Sequence, residues 1–356
     1  MSGGVDSSAA AMLLKDQGWR VMGVTMRLMM DEEESAFDPS LATSRSCCTL
    51  TDALDAKEVA SRLDFDHQVH NFSLVFKTEV IDRFISSYFS GRTPNPCIDC
   101  NRRLKFTHLY RRAELLGLNY LATGHYARTQ FDPETGRYLL LKAVDLHKDQ
   151  SYVLYGLTQD ELSRTLFPLG NTLKTEVRSI AKSAGLVNAL KPDSQDLCFV
   201  RDSDYTHFLE THGPTPIPGD IIDSQGRVLG RHKGIHRYTI GQRKGLGVCW
   251  KEPLYVIALD SAKNTVTVGL KSELYAIGAL VTDLNLISIA SLTGPMEVQA
   301  KIRYRQPEVP AIIEPAGSGI LLKFKSPQTA VAPGQAAVFY QGEIVVGGGT
   351  IESPVF

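Results

Sequence analysis

Long hydrophobic runs are missing from this chain. No apolar stretch approaches the ~20 residues that a membrane helix needs. The opening residues 1–8 are small and polar and do not read as a signal peptide. Cysteine is scarce, with 6 in 356 residues, which excludes a scaffold built on disulfides; in a reducing cytosol these side chains stay thiols. An excess of one charge sign is also absent. The formal net charge is -1, so a surface for nucleic acid must be local if it exists. Internal repeats and low-complexity tracts do not occur. What remains is 43% hydrophobic and 22% charged, the composition of a globular cytoplasmic protein with two or three buried cores.

The first half alternates two periodicities. Helical spacing runs through 9–18, 54–63, 80–89, 107–116 and 179–185, with strand-like runs at 21–26, 67–72 and 120–123. That alternation predicts an α/β domain around a parallel sheet. Past about residue 205 the texture changes. Residues 213–219 (GPTPIPG) form a stiff, turn-rich linker. Short strand-like segments follow at 221–222, 238–240, 255–258, 265–268, 297–304, 320–324, 336–340 and 343–347, predicting one or two β-rich modules, the last a barrel. Three segments are expected: 1–205, 206–276 and 277–356.

The strongest motif opens the chain, Ser2-Gly3-Gly4-Val5-Asp6-Ser7-Ser8, running directly into a helix. Two glycines let the backbone turn so that successive N–H groups face a phosphate, and the helix adds its positive end. No lysine follows, unlike the Walker pattern. The segment resembles the SGGxDS loop of enzymes that cleave ATP between its α and β phosphates. Such a loop should follow a buried apolar strand, so a short apolar run upstream of Met1 is expected.

The cysteines fall into four placements: Cys47 beside Cys48, a C-x-x-C at Cys97 and Cys100, and single residues at Cys198 and Cys249. In 91–101 (GRTPNPCIDCN) two prolines stiffen an extended loop around Asn95. Arg102, Arg103 and Lys105 follow, and their charge favours a thiolate. A lone cysteine is commonly a buried hydrophobe. That is the expectation for Cys249, beside Trp250, and for Cys47 and Cys48.

Taken in order, the opening loop, TPNPxxxCN (93–101), ATGHY (122–126), KDQSY (148–152), DSxxxCF (193–199), GQRKGLG (241–247), RYRQ (303–306) and PGQAAVFY (333–340) resemble the tRNA-specific 2-thiouridylase (MnmA) family over nearly the whole chain. The resemblance implies a Rossmann-like, PP-loop nucleotide-binding domain over 1–205, a central β-rich tRNA-binding domain over 206–276 and a β-barrel domain over 277–356. It implies use of ATP with Mg²⁺ to adenylate the wobble uridine of Lys, Glu and Gln tRNAs, followed by exchange of its 2-oxygen for sulfur.

Under that resemblance Cys198 matches the persulfide carrier, charged by a donor such as a cysteine desulfurase or a sulfur-relay protein. Cys100 matches the nucleophile that helps release the sulfur and closes a disulfide with Cys198. Met1, Ser2, Gly3, Gly4, Val5, Asp6, Ser7, Met26 and Gly124 match nucleotide contacts, with Asp6 helping to hold Mg²⁺. Asn95, Pro96 and Cys97 match the segment that meets the target base, and His125, Lys148, Asp149, Gln150, Arg303, Tyr304 and Gln335 match tRNA contacts.

Two alternatives stay open. Cys97, Cys100 and Cys198 are enough thiolates for a [4Fe–4S] cluster with one open iron, a rival route to the same thiolation. An amidating synthetase with the same loop needs neither Cys100 nor Cys198. A local basic surface favours tRNA: residues 227–244 hold Arg227, Arg231, Lys233, Arg237, Arg243 and Lys244 with no carboxylate, and 301–305 reads KIRYR.

Overall fold

The computed structural model describes residues 1–29, 50–193, 197–200 and 204–356. Cys47 and Cys48 lie outside the described residues, as do positions 194–196 of the Cys198 motif. The chain divides into two compact units. Met1–Ile81, Cys97–Asp204 and Glu343–Val345 make the first; Asp82–Pro96, Tyr205–Gly342 and Val346–Phe356 make the second.

In the first unit, β1 (Met22–Arg27) and β2 (Asp66–Asn71) pair in parallel, in register from Met22↔Asp66 to Arg27↔Asn71. The helix Leu50–Arg62 carries the chain from one to the other, as parallel strands require. Met1 runs beside β1, where Thr25 Oγ1 donates to its carbonyl at 2.8 Å. A second parallel pair joins β3 (Leu121–Ala122) to β6 (Thr165–Leu166). These pairings and the helices between them make the Rossmann-like domain that the alternating periodicities predict.

Helix α1 (Val5–Asp16) is rich in alanine, so its backbone packs closely on both sides. Ala9 and Ala10 bury against Tyr126, Leu169 and Val177, and Val5 against Val59, Ala181 and Leu186. The helix Lys174–Ser183 supplies Val177 and Ala181 to these two clusters, which fixes it beside α1. An antiparallel hairpin, β4 (Ala127–Asp132) and β5 (Arg137–Lys142), was not among the expected strands.

The second unit carries both β modules. β7 (Gly219–Asp223), β8 (Val228–His232), β9 (Tyr255–Asp260) and β10 (Thr265–Gly269) form a sheet in the order β8-β7-β10-β9 around Ile221, Val256, Val266 and Val268. Residues 238–240, expected as a strand, instead follow a 3-10 turn at Ile235–Arg237. The last module is a closed barrel. Its strands run β11 (Tyr275–Leu286), β14 (Gly319–Thr329), β13 (Val309–Ala316), β12 (Met296–Lys301), β15 (Ala336–Gln341) and β16 (Ile344–Val355), and β11 pairs with β16 to remove both edges. β11 escaped the sequence pattern because register shifts interrupt its pairing with both neighbours. No described helix is long and apolar enough to cross a membrane.

Candidate functional site

The opening loop is built as a phosphate cradle. Gly3 adopts φ +67°, and a Cβ there would stand 2.5 Å from the Asp52 carbonyl oxygen, so only glycine fits. Gly4 caps α1 without a side-chain partner, leaving the first-turn N–H groups pointing outward. Asn188, 2% exposed, supports the loop from beneath. Its Nδ2 donates to the carbonyls of Gly3 at 3.0 Å and Gly4 at 3.3 Å and to Ser8 Oγ at 2.8 Å. A trans peptide points its C=O and N–H in opposite directions. Drawing those two carbonyls inward therefore turns the N–H groups of Gly4 and Val5 away from Asn188. Ser7 Oγ accepts from the Ser2 amide at 3.2 Å and closes the turn. The donor set suits a pyrophosphate.

Gly124 completes the cradle. A Cβ at Gly124 would lie 2.8 Å from both the Asp6 carbonyl carbon and the Ser7 nitrogen, so the chain after β3 can approach the first turn of α1 only as glycine. Met26 lies at the C-terminal end of β1, half-buried, where open parallel sheets take their ligands.

Asp6 does not face solvent alone. Both of its oxygens accept from Lys174 Nζ at 2.7 Å, and Oδ1 accepts from the Tyr126 hydroxyl at 2.9 Å. Burial and the Asp6 carboxylate push that hydroxyl far above its ordinary value, so Tyr126 stays a donor. Lys174 also reaches Asp193 Oδ1 at 2.8 Å. Asp193 further accepts from Lys148 at 2.8 Å and Arg178 at 2.8 Å. Burial opposes its ionisation, but the bonds to Lys148 and Lys174 outweigh burial and hold it at about 2.

The KDQSY segment is held inside the first unit. Lys148 pairs with Asp193, Asp149 accepts from the Ala143 amide at 3.0 Å and from Ser151 Oγ at 2.7 Å, and Gln150 Oε1 accepts from the Tyr126 amide at 2.9 Å. His125 is buried, Nδ1 against Thr123 Oγ1 at 2.8 Å, with its ring between Phe106 and Phe167. Burial first, and Lys105 second, push it well below its ordinary value, so it is neutral.

The 91–101 segment is not extended throughout, as the two prolines predict. Pro96 opens a helical turn, Pro96–Asp99, and a π-helix follows over Cys100–Leu109. Proline at a first helical position loses no hydrogen bond, which is why the loop can turn there. Cys97 is exposed, Cys100 is buried, and Cys198 is half-buried. Asn101 beside Cys100 donates to the Val153 carbonyl at 3.0 Å. Arg103, expected to favour a thiolate, spends its charge on Asp99 at 3.3 Å and Glu79 at 3.6 Å. Among the described residues no three Cys, His, Asp or Glu side chains stand together as a ligand set. Cys97, Cys100 and Cys198 are all described, so the donors do not fit a [4Fe–4S] cluster.

In the second unit, Gln335 Nε2 donates to the Thr93 carbonyl at 2.9 Å and the Pro94 carbonyl at 3.4 Å, fixing the stretch that leads to Asn95 and Pro96. Arg303 donates to the Ala330 carbonyl within the barrel. Tyr304 is exposed, and Lys301 Nζ lies 5.7 Å from the centre of its ring. The basic stretch is less available than its sequence suggests, because carboxylates arrive from outside it. Arg227 pairs with Asp223 at 2.6 Å, Arg231 with Asp220 at 3.6 Å and Arg237 with Glu210 at 2.5 Å. Lys233, Arg243 and Lys244 are exposed. Cys249, expected to be buried, is exposed, and Trp250 keeps 46% of its surface.

Comparisons with known proteins follow this layout. Residues 1–202 match the family model of the tRNA methyl transferase HUP domain, 206–270 the tRNA methyl transferase PRC-barrel domain and 276–351 the aminomethyltransferase beta-barrel domain. The chain is 50% identical over 357 residues to the tRNA-specific 2-thiouridylase MnmA 1 of Thermoanaerobacter pseudethanolicus, covering 100% of this chain and 97% of that protein. It is 50% identical to the MnmA of Moorella thermoacetica (99% and 98% covered) and 47% identical to that of Clostridioides difficile (99% and 96% covered).

Proposed function

We propose that this chain, which belongs to the tRNA-specific 2-thiouridylase family, is an ATP-dependent sulfurtransferase that converts the wobble uridine of Lys, Glu and Gln tRNAs to 2-thiouridine in the cytoplasm. One observation carries the reading: a phosphate cradle without a Walker lysine shares a unit with Cys100 and Cys198. The family models are named for methyl transfer and the relatives for thiolation. A methyl group passed from an alkyl donor needs neither a phosphate cradle nor two thiols.

The C2 carbon of a uracil is a poor electrophile, and adenylation of its oxygen creates a leaving group. The N–H groups of Gly4 and Val5 and the α1 terminus hold the departing pyrophosphate, whose charge develops as the bond between the α and β phosphates breaks. Asp6 would help to hold Mg²⁺, which would supply further charge neutralisation there. Met26 and Gly124 border the adenosine side. Asn95, Pro96 and Cys97 meet the base, while Lys148, Asp149, Gln150, His125, Arg303, Tyr304 and Gln335 shape or contact the tRNA surface. The outer sulfur of a Cys198 persulfide bonds to C2, and AMP leaves with the oxygen. The Cys100 thiolate then attacks the inner sulfur, forming a Cys100–Cys198 disulfide and leaving the thiocarbonyl on the base. An external thiol reduces the disulfide before the next turnover.

The test is nucleoside analysis of tRNA incubated with the enzyme, ATP, Mg²⁺ and a persulfide donor. Wild type should yield 2-thiouridine, and Cys100→Ser and Cys198→Ser should yield none. Product formed at wild-type rates by either variant would sink the assignment.

A further inference from the structure

Asp52 forms one wall of the opening loop. A side chain at Gly3 would meet the carbonyl oxygen, Cα and Cβ of Asp52 at 2.5, 2.6 and 2.8 Å, so the loop lies directly against the first turn of the helix Leu50–Arg62. The Asp52 side chain is 6% exposed. Lys191 Nζ donates to its Oδ1 at 2.5 Å and to Asp55 Oδ2, farther along the same helix, at 2.8 Å. Burial opposes the charge of Lys191, but the bonds to Asp52 and Asp55 outweigh burial and raise the ammonium above its ordinary value.

Lys191 and Asn188 belong to one turn, closed by the bond from the Lys191 amide to the Asn188 carbonyl at 3.0 Å. Arg178, on the helix Lys174–Ser183, ties that turn down by donating from Nη1 to the carbonyls of Ala189 at 3.3 Å and Lys191 at 3.2 Å. The turn grips the loop twice. The Asn188 amide draws the carbonyls of Gly3 and Gly4 inward, and the Lys191 ammonium holds the residue whose backbone stands behind Gly3. All of these residues lie in the first unit. Glycine visits both signs of φ about as readily, so the φ of +67° at Gly3 has to be imposed by its surroundings. A buried carboxylate that loses its ammonium is drawn toward water. Movement of that kind at Asp52 takes the wall away from Gly3, and an unordered loop binds phosphate more weakly than a preorganised one.

We propose that Lys191 is a positioning residue for the nucleotide: by pairing with Asp52 it fixes the wall that keeps Gly3 left-handed, and so holds the loop ready for a pyrophosphate-bearing ligand. The proposal rests on the reading of the opening loop as a phosphate cradle and not on the sulfur chemistry. Lys191 acts through Asp52, and Asp52 acts through its backbone, with neither side chain touching phosphate.

The experiment measures the dissociation constant for ATP by equilibrium dialysis with the full-length protein, together with its affinity for tRNA and its melting temperature without ligand. Lys191→Met should weaken ATP binding by about fivefold or more, the low end of a coupling between distinct sites, and leave tRNA affinity unchanged. Asp52→Asn keeps the shape and removes the charge, and it should weaken ATP binding too. The double variant should be no weaker than Lys191→Met, because the two residues act as one unit. Asp52→Asn carries the test if Lys191→Met does not fold. A lower melting temperature with ATP affinity intact, or an equal loss of affinity for ATP and tRNA, would make the pair a support of the fold only and overturn the proposal. Additive losses, or ATP binding weakened by Lys191→Met but not by Asp52→Asn, would mean that the ammonium meets phosphate directly, and overturn it as well. Wild type that binds no ATP removes the cradle reading and this proposal with it. The expected affinities without 2-thiouridine product would sink the sulfurtransferase reading and leave the role of Lys191 standing.

Discussion

The side-chain amide of Asn188 bonds the carbonyl oxygen of Gly3, 185 residues earlier in the chain, and through that bond sets the direction in which the phosphate loop donates. Replacing Asn188 by Leu keeps the volume and removes the donor. The Gly3 carbonyl then loses its side-chain partner, at about 1–3 kcal/mol for an acceptor left unsatisfied, whereas the Gly4 carbonyl still accepts from the Ser7 and Ser8 hydroxyls. Peptide flips that relieve this penalty turn N–H groups inward. The expected result is a KM for ATP raised about tenfold or more, equivalent to ~1.4 kcal/mol, with the KM for tRNA unchanged. Steady-state kinetics of pyrophosphate release checks it, and an unaltered KM for ATP would remove Asn188 from the site.

Gly124→Ala tests the other wall of the cradle. The added methyl would sit 2.8 Å from backbone atoms of Asp6 and Ser7, and backbone cannot rotate aside as a side chain does. The first turn of α1 must move. ATP binding by calorimetry should weaken by at least about tenfold, with overpacking lowering stability by roughly 1–3 kcal/mol. Wild-type affinity in a folded Gly124→Ala protein would show that the first turn does not hold phosphate.

The α/β rhythm, the glycine loop and the β-rich second half are all legible in the sequence, because each rests on local periodicity or on residues adjacent in the chain. The roles of Lys174 and Asn188 are not. Nothing near Lys174 or Asn188 in sequence announces a partner at position 6 or 3, and contacts of that separation arise only from packing. Lys148 sits in a polar stretch that reads locally as solvated, yet the fold brings Asp193 to it. The basic stretch 227–244 misleads for the same reason: its carboxylate partners Asp220, Asp223 and Glu210 lie upstream of the stretch and come to it through the fold. Cys249 misleads in the opposite direction, because apolar neighbours in sequence need not bury a residue on a loop. Asp82–Pro96 belongs to the second unit although the residues on either side of it belong to the first, which no local pattern near residue 82 foretells.

His125 gives the protein an acid sensitivity with a defined sign. Burial holds its folded-state value well below 6.5, so it stays neutral in the native protein while the unfolded chain takes up a proton. The unfolded state binds more protons below that ordinary value, so stability present above pH 6.5 is lost as the pH falls beneath it. His125→Gln removes the titrating group. Denaturant unfolding across pH 7 to 5 should show a shallower fall for the variant, by up to one proton in the slope, whatever its absolute stability. Equal slopes would show that His125 is already protonated in the folded state.

Arg243 and Lys244 are the exposed cations of the GQRKGLG loop, and among the described residues no carboxylate pairs with either, whereas Arg227 and Arg231 each share their charge with an aspartate. A cation already neutralised by a neighbour releases fewer counterions from a phosphate backbone than an uncommitted one. The double variant Arg243→Ala, Lys244→Ala should therefore flatten the dependence of tRNA affinity on salt, by about 0.7–0.9 in the logarithmic slope for each phosphate that is no longer neutralised. Arg227→Ala should move the slope less, because it removes one member of an internal pair and leaves Asp223 to repel the backbone. Filter binding of tRNA between low and moderate salt distinguishes the two. A larger fall in slope from Arg227→Ala than from the loop pair would place the tRNA on the sheet face of the strands and not on the glycine loop.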